Sequence, residues 1–300
     1  MNLLVVGSVA YDSVETPHSS MDRILGGSAT FFSVAASFFA KVRLVAVVGD
    51  DFRDEDVTVL RDAGVDLEGL QHAEGKTFSW GGRYHANMNV RDTLFTELGV
   101  FKSFRPELPD SYRSSEMVFL GNIHPELQLE VLDQVKSPRL VAADTMNFWI
   151  EGEEPTLRSV LKRIDVLTVN DDEVRQLSGE HNLVRAARIV RAMGPKWLIV
   201  KRGEHGALLF TESRVFAVPA YPLEEVRDPT GAGDSFAGGF MGYLARERSI
   251  SESVVRRAMV MGSVMASFSV EAASLQGLQG RTSEDVEERF QEFVDLTSFD

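Results

Sequence analysis

Hydrophobic residues along the chain fall into short unbroken runs, separated by longer segments with helical spacing. Leu3–Val6, Leu44–Val48, Met117–Leu120, Leu140–Ala143, Val166–Val169 and Trp197–Lys201 are dominated by Val, Ile, Leu and other apolar residues. Runs of that length with no polar alternation are what strands buried on both faces of a parallel sheet require. Helices are predicted over Ala29–Phe39, Asp54–Asp62, Leu127–Val135, Asp172–Leu177, Leu183–Met193, Ala232–Arg246, Glu252–Ser267 and Ser283–Leu296. Gly, Pro and Asp punctuate the joins, as in Val48-Gly49-Asp50-Asp51 and Met193-Gly194-Pro195. Parallel strands joined by helices, an α/β fold, follow from this alternation.

Two stretches break it. Tyr11–Leu25 is polar with little helical signal, and Thr77–Phe104 alternates polar residues with Phe78, Trp80, Tyr84, Met88, Val90 and Leu94. Period-two patterning predicts antiparallel strands with one exposed face. We expect a small sheet standing off the main body, although an extension of the main sheet fits the same periodicity. No internal repeat or low-complexity segment is evident.

Composition narrows the partners. With 300 residues, 44% of them hydrophobic, the chain can bury a large core. The net charge of -14 repels a phosphate backbone, so nucleic acid is not an expected partner and any anion site must be local. The absence of cysteine excludes disulfides and thiol chemistry. Met1–Ala10 is apolar without a basic flank, so it reads as a buried strand rather than a signal peptide. Ala29–Ala40 is too short to span a bilayer. A cytoplasmic protein with no membrane partner is expected.

The run Asp228-Pro229-Thr230-Gly231-Ala232-Gly233-Asp234, followed at once by an apolar helix, carries the chemistry. Small residues let the backbone pack tightly and aim successive N–H groups at one spot. The helix N-terminus adds positive partial charge there, which suits a phosphoryl group in flight. Asp234 stands at the helix start, where its carboxylate can take the proton of an attacking hydroxyl. An acidic first-turn residue after a tight loop is also ordinary helix chemistry. The complete run argues against so bland a reading.

That run resembles the C-terminal signature of the ribokinase family, the PfkB-type carbohydrate and nucleoside kinases. Gly26-Gly27 before a small-residue helix resembles the family's paired-glycine motif, and Asp12 stands at its substrate-binding aspartate. Asn170-Asp171-Asp172-Glu173 resembles its Asn-x-x-Glu motif, and Lys201-Arg202-Gly203-Glu204-His205-Gly206 its nucleotide-side turn. The resemblance spans roughly Leu3 to Ala273. It implies one ribokinase-like domain over residues 1–300: a Rossmann-like three-layer α/β domain with a small β-sheet lid formed by about 11–25 and 77–104. It also implies transfer of ATP's γ-phosphate to the hydroxymethyl group of a sugar or nucleoside. Asp234 would be the base, with Gly231, Ala232 and Gly233 as the anion hole. Asn170, Lys201, Gly203, Gly206 and Thr230 would serve ATP, and Asp12, Gly26, Gly27, Ser28 and Phe31 the acceptor. Glu173 and Asn170 would organise Mg²⁺ through water, as hard oxygen ligands suit that ion. Asp228 marks a possible K⁺ site. Lid strands pair between subunits in some relatives, so a monomer or a homodimer is expected.

Departures from the family bear on the acceptor. Ribokinase has Asn where this chain has Ala10, and Lys and Asn where it has Ser28 and Phe31. Loss of these polar contacts argues against free ribose, and Ser28 is more similar to adenosine kinases. Phe31, Phe32, Trp80, Tyr84 or Trp149 offer faces for stacking on a base, or are core residues.

Other signals are weaker. Gly69–Thr77 ends in Gly-Lys-Thr, but its glycine spacing is too long for a P-loop, and a surface turn is expected. No His pair has zinc-site spacing. Lys201 read alone is a solvated strand-end cation. Gly7-Ser8-Val9-Ala10 lacks the dinucleotide fingerprint, which disfavours an oxidoreductase. A kinase of a free or modified sugar, or a non-catalytic binding protein of the same fold, are the alternatives. Retention of Asp234 favours the enzyme, because a binding module needs no base.

Overall fold

A computed structural model describes residues 1–298. The chain runs from β1 (Leu3–Val6) into β2 (Ala10–Glu15) and β3 (Ser20–Gly26), then returns through α1 (Ser28–Ser37), β4 (Val42–Val48), α2 (Asp54–Asp62) and β5 (Asp66–His72). It leaves again as β6 (Ser79–Tyr84) and β7 (Arg91–Glu97) before β8 (Met117–Leu120), α3 (Pro125–Gln134) and β9 (Leu140–Asp144). Next come α4 (Asn147–Gly152), α5 (Glu154–Leu161), β10 (Val166–Asn170), α6 (Asp171–Ser178), α7 (Leu183–Arg191) and β11 (Trp197–Lys201). The hairpin β12 (Ala207–Phe210) and β13 (Val215–Val218) precedes α8 (Ala232–Glu247), α9 (Glu252–Val270) and α10 (Ser283–Thr297).

Nine strands form the main sheet in the order β13-β12-β11-β10-β9-β8-β1-β4-β5. It is parallel from β5 to β11, and the β12–β13 hairpin adds antiparallel strands at one edge. Side chains alternate across β1: Leu3 and Val5 enter the core with α1, α8 and α9, while Leu4 and Val6 enter the opposite core with α3, α5, α6 and α7. These are the three layers expected of a Rossmann-like α/β domain. Strand order reverses between β1 and β8, and ligands of open α/β sheets bind at the carboxyl ends of the strands at such a switch point. Gly7 and Gly121 follow those two strands and approach each other there, with the Ser28 hydroxyl against both.

The second sheet has the order β3-β2-β6-β7. Its outer pairs are antiparallel, as the alternation predicts, and β2 and β6 pair in parallel at its centre. That parallel pair arises because two separate excursions of the chain build the sheet. Tyr11, 2% exposed, ties it to the main body. Its hydroxyl donates to Asp56 Oδ2 at 2.7 Å and accepts the Arg53 N–H at 3.0 Å. The guanidinium groups of Arg23 and Arg53 lie 4.3 and 5.0 Å from its ring centroid.

Several elements differ from the sequence reading. Gly69–His72, expected as part of a turn, completes edge strand β5, whose Asp-Leu-Glu-Gly-Leu-Gln-His sequence has no apolar run. The turn follows it, with Thr77 Oγ1 accepting the Gly49 N–H at 3.0 Å. Strands β12 and β13 and helices α4 and α5 were not expected; each is short. Among the described residues no helix is long and apolar enough to cross a membrane.

Tyr11→Phe should lower unfolding free energy by about 1–2 kcal/mol, since the Arg53 N–H loses its acceptor. Urea denaturation measures this, and unchanged stability would contradict Tyr11 as the anchor of the small sheet.

Candidate active site

The loop before α8 is shaped by its own hydrogen bonds. Asp228, 1% exposed, accepts the Thr230 N–H on Oδ1 at 2.9 Å and the Ser274 N–H on Oδ2 at 3.0 Å. Gly231 caps the helix in the left-handed region, φ 74°. A Cβ there would also collide with the Phe31 ring, so only glycine fits. The N–H groups of Gly233 and Asp234 lie in the first turn, where a helix leaves donors without intrahelical acceptors. Of the residues expected to form the anion hole, Ala232 has its N–H taken by the Pro229 carbonyl at 3.2 Å, so this backbone cradle at a helix N-terminus keeps the first-turn donors of Gly233 and Asp234.

Asp234 is half-buried at its rim. Lys201 reaches in from the end of β11, and a Cβ on Gly233 would stand 2.9 Å from its Nζ. The same Nζ lies 3.2 Å from Asp144 Oδ2, at the end of β9. Burial, with the charge of Asp144, pushes Asp234 up to about 8, against the pull of Lys201 and Arg91. Glu173 rises to about 7 for the same two reasons. Lys201 is held above its ordinary value: burial works against the ammonium, but Asp144, Glu173 and Asp234 outweigh it. It is therefore no solvated strand-end cation, and its side chain is only 18% exposed.

Asn170 caps α6 and accepts the Glu173 N–H at 2.7 Å, while Glu173 Oε2 accepts the Asn170 N–H at 2.8 Å. This reciprocal capping box holds Glu173 at the end of β10, where the charges of both Asp144 and Lys201 act on it. Beyond β11, Arg202 N–H closes on the Gly206 carbonyl at 2.8 Å, with Gly203 and Gly206 both in the left-handed half of backbone space.

On the acceptor side, the Asp12 carboxylate lies directly over Gly26, where any Cβ would overlap it. Burial and the negative Asp228 push Asp12 up to about 7, with Gly27 and Arg91 opposing. A Cβ on Gly27 would stand 2.5 Å from the Ser8 carbonyl, so both paired glycines are required by close approach. The Ser28 hydroxyl lies 3.2 Å from that of Ser8 and accepts the Ser8 N–H at 3.3 Å. Phe31, 1% exposed, has its ring face against Gly231 and is not free to stack on a base; it supports the anion loop from below. Phe32 stacks on Phe119 within the core.

The small sheet adds groups that sequence reading had not placed. Thr230 Oγ1 donates to Tyr84 Oη at 3.3 Å, joining β6 to the anion loop. Asn89 Nδ2 donates to Glu204 Oε1 at 3.4 Å, and its amide crowds Gly203. Arg91 lies 5.3 Å from the Trp80 ring. Trp149 lies past the ends of β8 and β9, where its Nε1–H donates to Asn122 Oδ1 at 2.9 Å beside the 61% exposed Phe148. Asp144 is the clearest omission. Its signal was an acidic residue closing an otherwise apolar strand, Leu140–Ala143, at the carboxyl end where ligands bind.

Comparison with known proteins bears on this geometry. The sequence pattern of the pfkB family carbohydrate kinases matches residues 2–279. A cytidine kinase from Thermococcus kodakarensis is 32% identical over 261 residues, covering 85% of this chain and 92% of that protein. The crystal structure of the Methanocaldococcus jannaschii nucleoside kinase superposes with a TM-score of 0.77 at 22% identity, over 97% of this chain and 98% of that one. A Burkholderia thailandensis nucleoside kinase in complex with inosine gives 0.76 at 20% identity, over 98% and 99%. With the family pattern covering nearly the whole chain and the signature loop in place, this protein belongs to the pfkB family of carbohydrate kinases and is a sugar or nucleoside kinase.

Proposed function

We propose that this protein transfers the γ-phosphate of ATP to the hydroxymethyl group of a nucleoside, with Asp234 as general base. The observation that carries the reading is the placement of the Asp234 carboxylate at the rim of the backbone cradle, beside the Lys201 ammonium at Gly233. An acceptor hydroxyl set between Asp234 and a phosphoryl group in that cradle loses its proton to Asp234 as its oxygen attacks phosphorus. The N–H groups of Gly233 and Asp234, together with Lys201, meet the charge on the phosphoryl oxygens. Asp12 holds the acceptor's ring hydroxyls by hydrogen bonds. The small sheet excludes water that would otherwise compete as acceptor.

The donor set fits Mg²⁺ brought in with the nucleotide. Glu173 and Asn170 offer hard oxygens, yet among the described residues no group of three acidic or His side chains is arranged to hold a metal ion by itself. Glu173 and Asn170 would hold it through water, and the ion would neutralise phosphate charge. At Asp228, the residue marked for K⁺, each oxygen of the buried carboxylate accepts one backbone N–H, which ties the residues before α8 to those after α9.

A nucleoside acceptor is supported by the 32% identical cytidine kinase and the fold shared with an inosine-bound nucleoside kinase. The polar contacts of a free sugar are absent at Ala10 and Phe31, and the Ser28 hydroxyl is engaged with Ser8. Trp149, past the ends of β8 and β9 and held by its bond to Asn122, offers an aromatic ring for the base.

Asp234→Asn should reduce kcat by about 10²–10⁴-fold with little change in ATP affinity. A variant working near the parent rate would refute the base assignment. Because the base must be ionised, kcat/KM for the acceptor should rise with pH and level off above about 8. A pH-independent profile between 6 and 9 would contradict it, about three decades of proton activity having no effect on a group titrating there. Among cytidine, adenosine, inosine, guanosine, ribose and fructose, a nucleoside should have the highest kcat/KM, exceeding free ribose by about tenfold or more. A free sugar ahead of every nucleoside by that factor would overturn the acceptor class and leave the kinase reading standing.

A further inference from the structure

Asp144 and Lys201 end strands β9 and β11, with β10 between them. The registers set Thr168 opposite Asp144 and Asn170 opposite Lys201, so the two side chains meet across the end of β10. They pair at 3.2 Å with 8% and 18% of their side-chain surface exposed. Burying such a pair gains little stability, because desolvation offsets the attraction. A reason for it therefore lies in where it puts the charge.

Of the two partners, Asp144 is the fixed one. Its Oδ1 accepts the Thr145 N–H at 2.7 Å, and its carbonyl accepts Gln128 Nε2 at 3.1 Å, from an amide 1% exposed that also binds the Gly121 carbonyl at 2.9 Å. Lys201 ends in a compact ammonium on a flexible four-carbon stem. Two other carboxylates, Glu173 and Asp234, attract it. Without Asp144 the ammonium would move onto one of them, and pairing with Asp234 would quench the base. Gly233 provides the space: a side chain there would contend with Nζ at 2.9 Å.

Resting on the kinase reading above, we propose that Asp144 is a positioning residue for phosphoryl transfer, pinning the Lys201 ammonium beside Gly233 and keeping it off the Asp234 carboxylate. Asp144 touches none of the reacting atoms. The phosphorus–oxygen bond to the nucleotide breaks, the bond to the acceptor oxygen forms, and the acceptor's proton passes to Asp234. Lys201 neutralises the phosphoryl oxygens throughout. Every effect of Asp144 on the rate thus passes through Lys201.

The test is a double-mutant cycle on kcat with Asp144→Asn, Lys201→Met and the two combined, at saturating ATP and Mg²⁺. Each single variant should lose on the order of a hundredfold, as removal of one pre-organised electrostatic group does. The double variant should be no slower than Lys201→Met alone, and KM for the acceptor should stay within about twofold throughout. Asp144→Asn at the parent kcat, or losses that multiply in the double variant, would overturn the proposal. Should the Asn variant not fold, Asp144→Glu keeps the charge, displaces it by one methylene and enters the same cycle. Asp234→Asn measured in parallel separates the two readings. Its loss of rate alongside multiplying losses in the cycle sinks only the role of Asp144, whereas its retention of rate sinks the base assignment.

Discussion

Asp144, Glu173 and Asp234 surround the single ammonium of Lys201 in a cleft at the carboxyl ends of the parallel strands. Burial in that cleft penalises the charged forms of Glu173 and Asp234, and the charge of Asp144 adds a repulsion that Lys201 and Arg91 offset only in part. The raised values of Glu173 and Asp234 are the direct result. The same imbalance would repel a bare triphosphate, so a nucleotide enters favourably only with cationic charge of its own.

Room for those charges comes from side chains that are missing. The Asp12 carboxylate occupies the space a Cβ on Gly26 would fill, and Lys201 Nζ stands beside the bare Cα of Gly233. Phe31 supports the loop from below because Gly231 has no side chain to strike its ring. The loop's outer end is fixed by the buried Asp228, whose oxygens join the residues before α8 to those after α9. Packing and charge are therefore one problem here: enlarging a glycine displaces a charged or aromatic group whose position sets the chemistry.

What could be read from the sequence follows from how local each signal is. Strands such as β1 are buried on both faces, so their apolar runs stand out, and the run Asp228–Asp234 folds its anion loop within a few consecutive residues. The capping box of Asn170 and Glu173 is local too, and both its hydrogen bonds form. Edge elements failed because one face is solvated: β13 carries Val215 at 54% exposure in a strand of four residues. Asp144 was passed over because periodicity marks where a strand runs, not which residue at its end turns into the cleft. Phe31 was misplaced because a helix so rich in apolar residues gives no sign of which face is covered. The contacts of the small sheet were out of reach altogether, since Tyr84 and Thr230 are 146 residues apart and Asn89 and Glu204 are 115 apart.

Those distant contacts explain why the fold needs its second sheet where it is. Tyr84 on β6 bonds to Thr230 at the anion loop, and Asn89 in the β6–β7 turn bonds to Glu204 at the nucleotide-side turn. Asp12, the residue proposed to hold the acceptor, lies on β2, which pairs directly with β6. One small sheet thus spans acceptor, phosphoryl cradle and nucleotide turn. Its strands are tied by backbone hydrogen bonds, so a shift that brings Asp12 onto an acceptor also moves Tyr84 and Asn89 relative to the phosphates. On the proposed reading, exclusion of water and alignment of the two substrates would be a single event. With Asp234 as the proposed base, that coupling would favour the acceptor's hydroxyl over water as the nucleophile.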